Sequence, residues 1–382
     1  MQKLNAFLLF LGAALLPVYV FGSGGIQPTH MLLAAFAVLT FFSGGLPLTL
    51  WSLALLAMFL HAFAVESVYA MMGGEPRYLI NSVFFLFNFL VAGTIYTHVR
   101  RHGPAILVPG ILIATAIALA TIVAGGVDLR DMGEGGRATG TFNNPNQLGY
   151  FSVCLLSLAY LLYRDGRMGY LVTTAVLSVS LFLAISSLSK AAMITNFVVI
   201  VLALKPAASR NALIGWSVAA LAGIMVVFRL YQNGAFDGFL FMERLANMAN
   251  EGDSSLEARG YFAFLDGNIL QVLFGLGTQR VNEIIGHEVH STLGSTFNNY
   301  GFIGLLFFST ALAVWVMRLW RSYGFVGAFC MAAPALLYGI THNGTRFTIF
   351  WLLFAASLAG SERMRSQREP RPAIIQNRSI SI

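Results

Sequence analysis

Charge is what this sequence lacks. Only 10% of its 382 residues are Asp, Glu, Lys or Arg, against roughly 25% in a soluble globular domain. Acids are the scarcer sign, with 16 Asp+Glu against 23 Lys+Arg. Cysteine is nearly absent too. Cys154 and Cys330 both sit inside apolar runs and read as small buried hydrophobes, which argues against a disulfide framework or a thiolate metal site. Period-2 alternation is missing, so a transmembrane barrel is not expected. There is no P-loop, no GxGxxG fingerprint, no GxSxG elbow and no acidic nucleotide-sugar motif. "HEVH" at 287–290 is not the HExxH zinc motif, and two histidines without a third ligand do not make a metal site. No metal and no cofactor are expected. The net charge of +7 does not point to nucleic acid, because its distribution matters more than its sum.

What is present is apolar length. Hydrophobic residues make up 57% of the chain, and the mean hydropathy is +0.73. Runs of about 20 residues, long enough to span a bilayer as helices, recur throughout. The expected fold is an all-α polytopic membrane protein with about twelve transmembrane helices. The spans read as Leu4–Phe21, Thr29–Phe42, Leu46–Val65, Tyr78–Val99, Pro104–Ala124, Gln147–Tyr163, Met168–Ser186, Leu188–Leu204, Asn211–Phe228, Gly301–Leu319, Phe325–Thr341 and Phe347–Gly360. The first is expected to be a retained helix, since it is long for a signal peptide and "GSGG" offers no Ala-x-Ala cleavage site. Residues 1–360 thus form a membrane domain. The polar, Arg-rich tail 361–382 is expected to be disordered.

Basic residues assign the sides. With both termini in the cytoplasm, the inner segments carry 14 of the 23 Lys+Arg and three of the 16 acids. They include Lys3, Arg100, Arg101, Arg164, Arg167, Arg318, Arg321 and the tail arginines. Two external segments are long, about 125–146 and 229–300, the second too long for a simple connection. Within it, Phe239–Ala249 and Ser254–Gly277 read as amphipathic interfacial helices. The latter opens with Ser254 and Glu257 in capping-box spacing.

The external side also collects the unusual polar residues. "RATGTFNNPNQLGYF" (137–151) sets Arg137 before Asn143, Asn144 and Asn146. Pro145 restricts the backbone, and Asn146 is expected to cap a helix starting at Gln147. A helix N-terminus beside an arginine also suits an anion. Lys190 opens a span on the same side, where snorkelling is the bland alternative. Arg259 falls in the helix opened by Ser254. His287 and His290 precede a span, and His342 and Arg346 lie in the last external turn. Arg137, Lys190, Arg259 and His290 come from four segments on one side. Three cations and a titratable base suit a diphosphate leaving group and an acceptor hydroxyl.

The chain resembles the O-antigen ligase and O-antigen polymerase family, membrane glycosyltransferases that act on undecaprenyl-diphosphate-linked glycans. The resemblance rests on "RATGTFNNPNQLGYF", on "SLSKAAM" (187–193), on the Arg of "LEARGYFAFL" with "FGLG" (274–277), and on "HSTLGSTFNNYGFIGLL" (290–306). It spans Arg137 to Leu306. Lys190 and Ala191 stand where the family has Arg and Gly, Ser291 stands for the usual Asn, and Ser295 and Asn299 stand where acids are common.

The resemblance implies an inverting, metal-independent transfer at the periplasmic face of a bacterial inner membrane. Arg137, Lys190 and Arg259 would hold the donor diphosphate, with Asn143, Asn144 and Asn146 shaping the site. His290 would take the proton of the acceptor hydroxyl or orient it. His287 and Arg346 are further candidates. The expected partners are the lipid-linked donor, a glycan or lipid A-core acceptor, membrane lipids and polysaccharide export machinery. Polymerisation of O-antigen or exopolysaccharide repeat units is the first reading, and ligation of finished glycan to lipid A-core is the second. A transporter of lipid-linked glycans is a third, although no repeated halves are visible.

Overall fold

A computed structural model describes residues 2–22, 25–125, 138–204 and 260–368. Its regular elements are helical. In chain order they are α1 (Gln2–Ala14), α2 (Pro28–Gly44), α3 (Leu50–Met71), α4 (Leu79–His102), α5 (Leu107–Ala124), α6 (Pro145–Arg164), α7 (Tyr170–Ser186) and α8 (Lys190–Leu204). After the undescribed stretch follow α9 (Ile269–Phe274), α10 (Thr278–Ile285), α11 (Thr292–Thr341) and α12 (Thr348–Arg368). Short 3₁₀ turns precede α4 and α5 at Pro76–Tyr78 and Pro104–Ile106, and Ala263–Asp266 forms a third.

Among the described residues, four segments are long and apolar enough to cross a membrane. They are Leu50–Met71, Pro76–His102, Pro104–Ala124 and Thr292–Thr341. Pro28–Gly44, Tyr170–Ser186 and Lys190–Ala203 are shorter apolar helices. These are the features of a membrane protein. The expected span Asn211–Phe228 and the Phe239–Ala249 helix lie outside the described residues, as does the tail beyond Arg368.

α11 is two helices and a short leader rather than one rod. Gly301 (φ 65°) and Gly324 (φ 75°) leave helical geometry within it. The chain reverses at Gly324, because the Thr292 hydroxyl donates to His342 O at 3.0 Å across fifty residues. At Gly301 the last carbonyls of the leader would be orphans. The backbone N–H groups of Leu276 and Gly277 donate to Asn298 O and Asn299 O, each at 3.0 Å. His61 of α3 lies 2.8 Å from Tyr300 O through Nε2 and 3.1 Å from Phe274 O. A side chain does not fit here, since a Cβ on Gly301 would fall 2.4 Å from Leu273 O.

α6 and α12 are the central helices. Every residue from Gln147 to Leu162 is buried, as is every residue from Thr348 to Ser361. A helix apolar all round belongs inside a bundle. Lipid is as apolar as Leu, so packing and interhelical hydrogen bonds must set the arrangement. Trp315 Nε1 donates to Ser357 Oγ at 2.7 Å, and Trp351 Nε1 donates to Thr345 O at 2.7 Å. Trp51 packs edge-on against Tyr96 and Phe354.

The two ends of the bundle differ in charge. At one end α1, α2, α4, the α6–α7 turn, the Gly324 reversal and the end of α12 meet. Arg101 donates to Gly44 O, Arg363 to Arg100 O, and Tyr323 to Asp165, while Glu362 pairs with Arg100 and Arg318. Burial raises the Asp165 carboxyl above the usual range, against the pull of the Tyr323 hydroxyl. The starts of α6, α8, the α11 leader and α12 lie at the opposite end with the polar cavities.

Several boundaries differ from the sequence expectation. α1 stops at Ala14, seven residues early, because Pro17 cannot continue a helix. α12 runs to Arg368, so the first eight residues of the expected disordered tail are helical. Ser254–Gly277 is not one helix. Gly260 takes a positive φ, and Asn268 starts a new helix by exchanging caps with Gln271.

Candidate functional site

The start of α6 is built by its asparagines. Asn144, not Asn146, is the N-cap, and its side chain accepts from Gln147 N–H at 2.9 Å. Pro145 takes the first helical position, where its missing N–H costs nothing. Asn143 is committed to backbone: its Nδ2 donates to Phe21 O at 3.1 Å, and its N–H donates to Gln147 Oε1. Asn146 O accepts the Tyr338 hydroxyl at 3.0 Å.

Tyr338 ties this segment to the turn before α8. Its hydroxyl lies 3.1 Å from Ser189 Oγ, directly before Lys190. Gly149 lets the two elements close, since a Cβ there would fall 2.8 Å from the Tyr338 oxygen and 3.1 Å from Ser189 Cβ. Leu188 holds a left-handed φ of 49° in the same turn, a strained conformation for a branched side chain that persists where surroundings over-determine it.

A cavity of about 310 Å³ opens beside these elements. Asn144, Asn146 and Gln147 line one wall, Glu288 and His290 a second, and His342, Asn343 and Arg346 a third. Tyr19, Gly25, Gln27, His30, Phe84 and Phe347 complete it. His287 and His290 stack at 5.1 Å with rings within 6° of parallel. His342 stacks on Tyr338 at 4.6 Å. Arg346 Nη1 contacts both Glu288 oxygens at 2.7 and 2.9 Å, and its Nη2 donates to Asn81 Oδ1 at 3.2 Å.

A second cavity, of about 600 Å³, shares Phe84, Glu288 and Arg346 with the first and is otherwise lined by the Pro76–Tyr78 turn, α4 and α10. Arg346 therefore stands where the two cavities meet. Behind them lies Glu66 of α3, buried at 1% exposure. Its Oε1 accepts from Thr278 N–H (3.2 Å), the Thr278 hydroxyl (2.5 Å) and the Tyr300 hydroxyl (3.2 Å).

The predicted residues are distributed as follows. His290, Asn144, Asn146 and Arg346 share the 310 Å³ cavity. His287 is exposed against His290. Asn143 serves the backbone at the cavity's edge. Lys190 is half-buried at the first position of α8 and is not among the residues lining that cavity. Arg137 and Arg259 lie outside the described residues. Their chain neighbours are anchored: Ala138 N–H donates to Ser186 O at 3.0 Å, and Gly260 O accepts from Asn298 Nδ2 at 3.2 Å. No group of three or more His, Cys, Asp or Glu with metal-binding arrangement occurs among the described residues.

Sequence reasoning missed Glu288, Asn343, Asn81 and Glu66. Glu66 carried a usable signal, an acid at the end of an apolar run, where ionisable groups are functional by default. Comparison of the chain with protein-family models and with curated proteins matches nothing.

Proposed function

We propose that this protein is an inverting membrane glycosyltransferase. It moves a glycan from an undecaprenyl-diphosphate carrier to an acceptor sugar hydroxyl, polymerising O-antigen or exopolysaccharide repeat units. The observation that carries the reading is the joint lining of one cavity by His290, Asn144, Asn146 and Arg346, residues from three separate segments. Its volume of about 310 Å³ lies at the lower end of ordinary ligand pockets, roughly 300–1,000 Å³.

In this mechanism His290 accepts the proton of the acceptor hydroxyl. The freed oxygen attacks the donor's anomeric carbon from the face opposite the leaving group. The bond from that carbon to the diphosphate oxygen breaks, and the lipid diphosphate leaves with the electron pair. Arg137, Lys190 and Arg259 offset the charge that develops on it, with Arg346 as a fourth cation. The start of α6 presents the favourable end of its dipole to the same anion.

Twelve spans with both termini inside complete the proposal. The basic end of the bundle, with Arg100, Arg101, Arg164, Arg318 and Arg363, suits the cytoplasm. The cavity end would then face the periplasm, and residues 260–291 would belong to a large periplasmic loop.

The test is purified protein with lipid-linked repeat units and no metal or ATP, followed by glycan size on a gel. Growth of a ladder that His290→Ala abolishes is the expected outcome. Chain growth only after lipid A-core is added would replace polymerase by ligase. The break at Gly301 favours a second reading, a transporter of lipid-linked glycans, since discontinuous helices build transport sites. Translocation of a labelled donor by reconstituted protein, without any transfer, would establish it instead.

A further inference from the structure

A small polar chamber adjoins the 310 Å³ cavity. Its volume is about 30 Å³, room for about two water-sized groups. It shares Phe84, Asn343 and Arg346 with the larger cavity. Amides and hydroxyls from α4, the α11 leader and the loop before α12 line it.

Most of those groups are spent on one another. Asn343 Nδ2 donates to Ser295 Oγ at 3.2 Å, and its Oδ1 accepts from Thr345 N–H and the Thr345 hydroxyl at 3.2 and 2.7 Å. Asn88 Nδ2 donates to Thr345 O at 2.9 Å. Asn299 Nδ2 donates to Ser295 Oγ at 3.2 Å.

Asn299 Oδ1 is the exception. It is buried and has no hydrogen-bond partner among the described residues, on a side chain belonging to a residue only 7% exposed. Turning the amide end for end sets Oδ1 to accept the Ser295 hydroxyl hydrogen and leaves Nδ2 unspent, so either orientation leaves one amide atom unsatisfied. Buried polar groups are satisfied almost without exception, by protein, water or ligand. In the first orientation Ser295 Oγ accepts from two amides, which leaves its hydroxyl hydrogen to donate.

We propose that this chamber is an acceptor subsite that takes the exocyclic hydroxymethyl group of an uncharged sugar. The assignment rests on the transferase reading above. A hydroxymethyl group has two heavy atoms, as the space allows. Its hydroxyl can donate or accept, so it satisfies the open Asn299 amide atom in either orientation. Phe84 and Phe85, also in the lining, offer apolar contact to its carbon. A carboxylate in the same place would have to compete with Glu288 for Arg346, the one cation among the described residues of the chamber's lining. The hydroxymethyl group therefore fixes the orientation of the acceptor ring, and another hydroxyl of that ring reacts at His290.

The experiment uses full-length protein in nanodiscs and ligand-observed NMR. The probes are two pairs that differ only by the hydroxymethyl group: methyl β-glucoside with methyl β-xyloside, and methyl β-galactoside with methyl α-L-arabinopyranoside. Methyl β-glucuronide is the charged control. A site built to hydrogen-bond a hydroxyl rejects the analogue that lacks it. In at least one pair the hydroxymethyl member should bind about tenfold tighter or more. Asn299→Leu should bring that ratio to about one, and Ser295→Ala should reduce it; the second variant serves if the first does not fold. Equal binding within both pairs, tighter binding of the glucuronide, a preference that survives Asn299→Leu, or no glycoside binding at all overturns the proposal. No lipid donor is present, so the two readings fail separately. Discrimination by a protein that transfers nothing refutes the transferase and keeps the sugar subsite. Transfer without discrimination refutes the subsite alone.

Discussion

Arg346 grips Glu288 with one nitrogen, Nη1, which lies 2.7 and 2.9 Å from the two carboxylate oxygens. The pair closes a wall of the cavity that His290 lines. A carboxylate thus occupies this cation, and on the transferase proposal a donor diphosphate would have to compete with Glu288 for Arg346.

Glu288→Gln removes the competing charge. The side chains are 50% and 35% exposed, so the lost pair costs at most about 1 kcal/mol of stability. Affinity for inorganic pyrophosphate, measured on the purified protein, should rise about fivefold, equivalent to roughly 1 kcal/mol. Unchanged or weaker affinity would remove Arg346 from the donor site.

His290→Ala should lower glycan transfer by about 10²–10⁴, the range of general acid–base contributions. Donor binding and melting temperature should stay near those of wild type. Arg137→Ala should abolish transfer and weaken donor binding as well. A His290→Ala enzyme that retains full rate would move the base elsewhere in the cavity.

Tyr338→Phe deletes the bonds to Ser189 and to Asn146 O. At about 1 kcal/mol for each hydrogen bond, thermal unfolding in detergent should show a loss of roughly 2 kcal/mol. Transfer should fall further than stability does, because the α6 start and the Lys190 turn lose their common tie. Loss of stability with unchanged kcat would make the tie structural only.

Gly301 and Gly324 both take positive φ, but their surroundings differ. A Cβ on Gly324 meets nothing within 4 Å, whereas one on Gly301 meets Leu273 O and Gly275 N. Gly324→Ala should cost about 1 kcal/mol, the backbone penalty alone. Gly301→Ala should cost several-fold more or prevent folding, read from expression and melting. Equal costs would mean that the Gly301 contact can relax.

Helix positions were largely legible, because apolar length is a strong signal. The Pro104–Ala124 expectation coincides with the 3₁₀ turn plus α5. Caps were less so: Asn144 and Asn146 look alike in sequence, and only the geometry of Pro145 decides between them. The α11 leader was invisible because "TLGSTFNNY" has no apolar period and ends at a glycine whose φ sequence does not display. Of the site, His290 and the asparagines stood out as polar residues beside apolar runs. Glu288 did not, since its partner is 58 residues away. Asn81 and Asn88 sit within an expected span and carry no periodic mark. Ser295 and Asn299 were visible only as departures from a resemblance, and the chamber they share required the fold.

The reversal at Gly324 also sets the order in which the site is made. Tyr338, His342, Asn343 and Arg346 all follow it in the chain. A nascent chain halted at Gly324 would already carry each segment on which the resemblance rests, from Arg137 to Leu306. It would still lack one wall of the cavity, the tie between α6 and the Lys190 turn, and the counter-charge to Glu288. On the transferase proposal, a competent site would exist only after the two helices that follow Gly324 have packed against the rest, and a chain cut short at the ribosome would be inert rather than partly active.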